Sequence, residues 1–161
     1  MKKELLYLTA IILGSILIIG AFFGFDNYTG DTTIDFNVRD TYYVFPTIYG
    51  VIFAVILMIT SASFVRVVFT RFKIKFTNYI FLFFNALLIL CIVFVCKSLG
   101  DFEAILRENI TDTTSQQMAS SMHKGIANLI HSGYFMLVLA IFIEMLVLFK
   151  TKKLPQATST D

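Results

Sequence analysis

A chain of 161 residues that is 57% apolar, with a mean hydropathy of +0.79, lies well above the ~45–50% apolar content of soluble domains, which excludes a water-soluble globule. Its net charge of +2 supplies no bulk attraction for nucleic acid. What remains is an all-α membrane protein. Four apolar stretches, at about 5–25, 46–69, 76–96 and 126–149, each reach the ~20 residues that a helix needs to cross a ~30 Å hydrocarbon layer. They consume most of residues 1–161, so one four-helix transmembrane domain is expected, followed by a cytoplasmic tail over 150–161.

The first span follows Lys2 and Lys3, as a signal peptide does. Its apolar run is longer than the 7–15 residues of a signal core and no small-residue cleavage site follows, so it is expected to be retained. Gly20 and Gly24 form a GxxxG pair, and Ala10 and Gly14 repeat that spacing. Small residues four apart let helix backbones approach closely, so Gly14, Gly20 and Gly24 are expected on a packing face, toward a neighbouring helix or another subunit.

The first connection opens with the turn-rich run Asn27-Tyr28-Thr29-Gly30-Asp31, and 34–39 alternates apolar and polar residues in the period of a short strand. Tyr42 and Tyr43 suit the membrane–water boundary, and Pro46 suits the first turn of the second helix, where its missing N–H costs nothing. The inner half of span two, Thr60-Ser61-Ala62-Ser63, is small and polar, as expected of a helix packed against neighbours. A short link then predicts an antiparallel pairing of spans two and three. In the second outer loop Phe102, Ile105, Leu106 and Ile110 recur at helical spacing, predicting a short amphipathic helix. The pattern Met118, Met122, Ile126, Leu129 predicts that span four begins a turn or two outside the membrane.

Charge sets the expected orientation. Nine of the thirteen Lys and Arg residues fall before span one, between spans two and three, or after span four, while the opposite side holds eight acids. The positive-inside rule places both termini in the cytoplasm of a multi-pass protein of a bacterial plasma (inner) membrane.

Few groups inside the spans carry chemistry. Glu144 sits about 9 Å above the inner boundary, at a depth similar to that of Arg66, and an ion pair between them is the structural expectation. A proton or ion path through Glu144 is the functional one. Asn85 lies mid-span and needs partners, for which the Ser and Thr groups of span two are candidates. His123 and His131 share one predicted helix about 12 Å apart, so they cannot be the two axial ligands of one haem. Cys91 and Cys96 are ~140° apart around their helix and cannot bridge one another or clasp one metal. No cofactor, metal site or catalytic constellation is expected.

The run from Asp35 to Val44, Asp-Phe-Asn-Val-Arg-Asp-Thr-Tyr-Tyr-Val, resembles the loop-to-helix corner in subunit one of the haem-copper oxidases. There an acid precedes His-Asp-Thr-Tyr-Tyr-Val, and two histidines of the following helix bind haem. The resemblance implies no oxidase catalysis here, because Thr47 and Tyr49 stand where the haem ligands would be and Arg39 replaces a magnesium-binding histidine. Asp40 alone is retained from that pair. Two origins account for the segment, a remote relic of the oxidase corner or a convergent helix start marked by Asp40 or Thr41, and the residues leave both open. Asp35, Asp40, Thr41, Tyr42 and Tyr43 are the interaction candidates. The expected function is that of a non-enzymatic accessory or assembly partner of a larger membrane complex, a respiratory one being the class hinted at. The alternative is an oligomeric transporter or channel using Glu144 and Asn85.

Overall fold

The computed structural model describes residues 2–38, 41–108 and 116–154. Four α-helices dominate it: α1 (Lys2–Phe23), α2 (Thr47–Phe69), α3 (Lys75–Glu108) and α4 (Gln116–Lys152). All four are long and apolar enough to cross a membrane. At 1.5 Å per residue α1 and α2 match the bilayer, whereas the 34 residues of α3 and the 37 of α4 outlast it by about 20 Å. Glu4, Arg66, Thr77, Asn78 and Thr151 meet at one end of the bundle, which carries the start of α1 and the end of α4 and is called the basic end below. The surplus length of α3 and α4 therefore stands out at the opposite, loop end.

Two elements between spans differ from their sequence expectation. Residues 102–108 are the last turns of α3, not a separate amphipathic helix, because nothing in Ser98-Leu99-Gly100-Asp101 breaks the helix before its apolar spacing resumes. The first connection holds two strands rather than one: β1 (Thr33–Val38) pairs antiparallel with β2 (Thr41–Pro46), with Phe36 opposite Tyr43 and Asn37 opposite Tyr42. Tyr42 and Tyr43 thus belong to a hairpin, not to a helix approach. Pro46 closes β2 with extended backbone (φ −60°, ψ 125°) and stands just before α2, not in its first turn.

The turn from α2 into α3 is built without glycine. Phe72 N–H reaches back to the Val67 carbonyl (3.0 Å) and Arg71 N–H to that of Val68 (2.9 Å), the paired bonds of a Schellman motif. Arg71 adopts the left-handed position at φ 51°, and Phe72 follows at φ 63°. The apolar contact that accompanies such a motif is present, since Phe72 packs on a core of Val67, Phe81 and Val147 drawn from α2, α3 and α4.

The tightest pairing is α3 on α4. On α3 the buried residues Asn78, Phe81, Asn85, Leu88, Ile92 and Cys96 step by three or four. On α4 Ile126, Ala140, Val147 and Thr151 are buried, with Gly133 at the seven-residue step between the first two. Three-four spacing keeps one seam of each helix facing the other along its length. Asn78 meets Thr151, Asn85 meets Ala140, and Cys96 Sγ lies against Gly133, whose missing side chain makes the space. By contrast the apolar windows of α1 and α4 are only 11% buried, against 28% for α2 and α3.

Candidate functional site

Polar side chains in lipid must find partners, so they identify where the bundle is committed. At the basic end Glu4 of α1 accepts from the Arg66 guanidinium of α2 (2.8 Å) and from the Thr77 hydroxyl of α3 (2.9 Å). Glu4 is 13% exposed and Arg66 34%. The Arg66 guanidinium also lies 4.8 Å from the centre of the Tyr7 ring, one helical turn along α1 from Glu4, a cation–π distance. One carboxylate therefore ties three helices. A cavity of about 10 Å³, at the lower limit for a single water, opens beside this node between Tyr7, Ile11, Ser63 and Ile80. That is far below the ~300 Å³ of an organic-ligand site.

This pairing corrects the sequence expectation for Arg66. Its counter-ion is Glu4, not Glu144. Glu144 on α4 instead accepts from Asn85 Nδ2 (3.2 Å), and the same amide donates to the Ala140 carbonyl (3.1 Å). Asn85 thus binds α4, not the hydroxyls of α2. Those hydroxyls turn elsewhere: Thr60 donates to the Ile56 carbonyl (2.8 Å) and lies 3.2 Å from that of Phe84 on α3, while Ser61 bonds back to Leu57 (2.8 Å). A third node, which the sequence reading missed, is the fully buried Asn78. Its Nδ2 donates to the Phe72 carbonyl (2.9 Å) and to the Thr151 hydroxyl (3.0 Å).

At the loop end the chain folds back on α1. Gly24 leaves the helix at φ 90°, the 3-10 turn Phe25–Tyr28 descends, and the Tyr28 hydroxyl donates to the Ile16 carbonyl (2.7 Å). The Phe25 ring lies over Gly20. Gly20 and Gly24 therefore serve this fold-back, one making room for a ring and the other supplying a left-handed turn, rather than a helix–helix face. A Cβ on Gly14 would meet nothing within 4 Å. The Thr32 hydroxyl donates to Asn27 Oδ1 (2.8 Å) and lies against that of Thr47, whose own hydroxyl and N–H both donate to the Thr32 carbonyl (2.9 and 3.1 Å). This threonine pair joins the foot of the hairpin to the start of α2.

Among the interaction candidates, Asp35 lies on β1 opposite Val44, and Thr41 begins β2 opposite Val38. Asp40, like Arg39, lies outside the described residues. His123 Nδ1 lies 3.2 Å from a Glu103 carboxylate oxygen, joining α4 to α3 beyond the apolar spans, and His131 contacts its own helix at the Ala127 carbonyl (2.6 Å). Among the described residues no three His, Cys, Asp or Glu side chains converge.

Comparison with protein-family models, with curated proteins and with solved structures finds no match. Among the described residues, the polar groups form ion pairs and amide bonds that hold helices, and a strand pair is carried at one end of them.

Proposed function

We propose that this chain is a non-enzymatic membrane protein that acts by binding, as an accessory or assembly partner of a larger membrane complex, with both termini in the cytoplasm of a bacterium. The observation that carries the reading is the unequal burial of the helices. Only 11% of the apolar windows of α1 and α4 is buried, so both flanks of the bundle are open to lipid or to partner helices. The β1–β2 hairpin adds a second argument. A two-stranded ribbon is marginal alone in water, and here the contacts of Thr32 and Thr47 join its foot to the bundle. A partner that packs on the hairpin would add to that support. The oxidase-like run 35–44 lies almost wholly within this hairpin, which makes a respiratory complex the partner class to test first.

The experiment is mass spectrometry of what co-purifies with a tagged copy at native expression in mild detergent. Stoichiometric recovery of the subunits of one membrane complex is expected. Asp40→Ala with Tyr42→Ala should weaken that recovery without loss of membrane insertion. Unchanged recovery would count against a role for the hairpin, and recovery of this chain alone would count against the whole reading. A second reading, an oligomeric transporter, draws on the half-buried Glu144 carboxylate within the α4 span. Proteoliposome flux no greater than that of empty liposomes would remove it.

A further inference from the structure

Five exposed cationic side chains stand at the basic end, in two groups that the structure places side by side. Arg71 and Lys73 of the α2–α3 turn, and Lys150, Lys152 and Lys153 at the end of α4, are all exposed. Phe72 stands between the first two, and Thr151 stands between Lys150 and Lys152. Asn78, fully buried, donates from its one amide nitrogen to both the Phe72 carbonyl and the Thr151 hydroxyl. One side chain therefore binds the turn to the end of α4. The described acid at this end, Glu4, is already engaged by Arg66 and Thr77. Among the described residues no acidic side chain pairs with any of the five cations.

We propose that this Asn78-tied cluster is a docking surface for anionic phospholipid headgroups in the leaflet that faces the basic end. Charge complementarity carries the choice of occupant, and position supports it. The five cations stand where helices long and apolar enough to cross a membrane end, which is where a bilayer of matching thickness would present its phosphates. The Lys153 ammonium lies 4.3 Å from the centre of the exposed Phe149 ring, at the boundary where an apolar flank gives way to charge. Basic groups between helix ends are suited to phosphate-bearing headgroups, and each adds about fivefold to binding at an anionic surface. The surface is independent of any protein partner and does not rest on the function proposed above.

The test uses the purified full-length chain in detergent, where the orienting effect of positive charge on insertion no longer acts. Phosphatidylglycerol and phosphatidylcholine are added at equal mole fraction, and retained lipid is read by native mass spectrometry. Phosphatidylglycerol should be retained more strongly by at least about fivefold, the contribution of a single cation. That excess should vanish in about 1 M salt, where the screening length falls to ~3 Å. It should also vanish in the variant Arg71→Gln/Lys73→Gln/Lys152→Gln/Lys153→Gln, with melting in phosphatidylcholine unchanged. Lys97→Gln/Lys124→Gln at the loop end should leave it intact. Equal retention of the two lipids, salt-insensitive retention, or the same loss from the loop-end variant would each overturn the proposal. So would competition by inorganic phosphate at concentrations comparable to the lipid, which would mark a site for the free anion. The salt arm needs no variant, so the proposal stays exposed to refutation even where the fourfold change impairs folding.

Discussion

Arg66 offers a sharp quantitative test, because two carboxylates compete on paper to be its counter-ion and the structure chooses one. Arg66 meets Glu4 at 2.8 Å, while Glu144 is bonded to Asn85. The perturbation is a pair of double-mutant cycles, Arg66→Met with Glu4→Gln and Arg66→Met with Glu144→Gln. Exposed ion pairs couple by about 0.2–1 kcal/mol, and interhelical hydrogen bonds within membranes average ~0.6 and reach ~1.7 kcal/mol. With Glu4 mostly buried and Arg66 one-third exposed, the first coupling should fall near 1 kcal/mol. The second should stay within about 0.3 kcal/mol of zero, as for sites that share no partner. The assay is reversible unfolding in mixed micelles, followed by helical circular dichroism. A coupling between Arg66 and Glu144 as large as that between Arg66 and Glu4 would refute the assignment of helix neighbours, not merely one bond.

Other outcomes follow from single contacts. Gly133→Ala puts a methyl group onto Cys96 Sγ and should cost about 1–3 kcal/mol in the same unfolding assay, with Cys96→Ala restoring most of the loss. Asn85→Ala removes the donor to both Ala140 and Glu144 and should cost about 1–2 kcal/mol, whereas Glu144→Gln keeps an acceptor for Asn85 and should change stability by less than ~0.5 kcal/mol. Gly14→Ala meets open space on a helix and should be neutral or gain up to ~1 kcal/mol, while Gly20→Ala displaces the Phe25 ring and should lose stability; the order of the two melting temperatures checks this.

The four spans were legible because ~20 apolar residues in a row admit few other structures, and their expected limits fall close to those of α1 and α2. The polar partners were not legible, and the reason is rotational. Sequence gives depth along a span through the rise of 1.5 Å per residue, and by depth Glu144 suited Arg66. Which helices are neighbours is a separate question, settled by how α3 packs between α2 and α4. Glu4 gives no such signal, because it sits at the edge of an apolar run, where a charge looks solvated. The turn at Arg71 was hidden for a different reason. A left-handed position usually betrays itself by glycine, and here an arginine occupies it, held by the paired bonds to Val67 and Val68 and by the Asn78 amide.

A legible signal did exist for the α3–α4 seam. Ile126, Gly133, Ala140 and Val147 repeat every seven residues, and Thr151 continues the three-four step. Along a helix that is apolar all round, this repeat separates the face that meets protein from the face that meets lipid, because small residues recur on it and large ones are displaced to the flanks. Phe135, Phe142 and Phe149 form a parallel seven-residue series, two positions further on, and all three are exposed. The two series on one helix describe the economy of the fold: a narrow, small-residue seam commits α4 to α3, and a broad aromatic flank is left open. Membrane packing favours close backbone approach over bulk, so the largest side chains need not mark the core, as they would in a soluble bundle. On α4 they mark the flank on which a partner or the bilayer must lie, which is why the binding reading rests on α4 as much as on the hairpin.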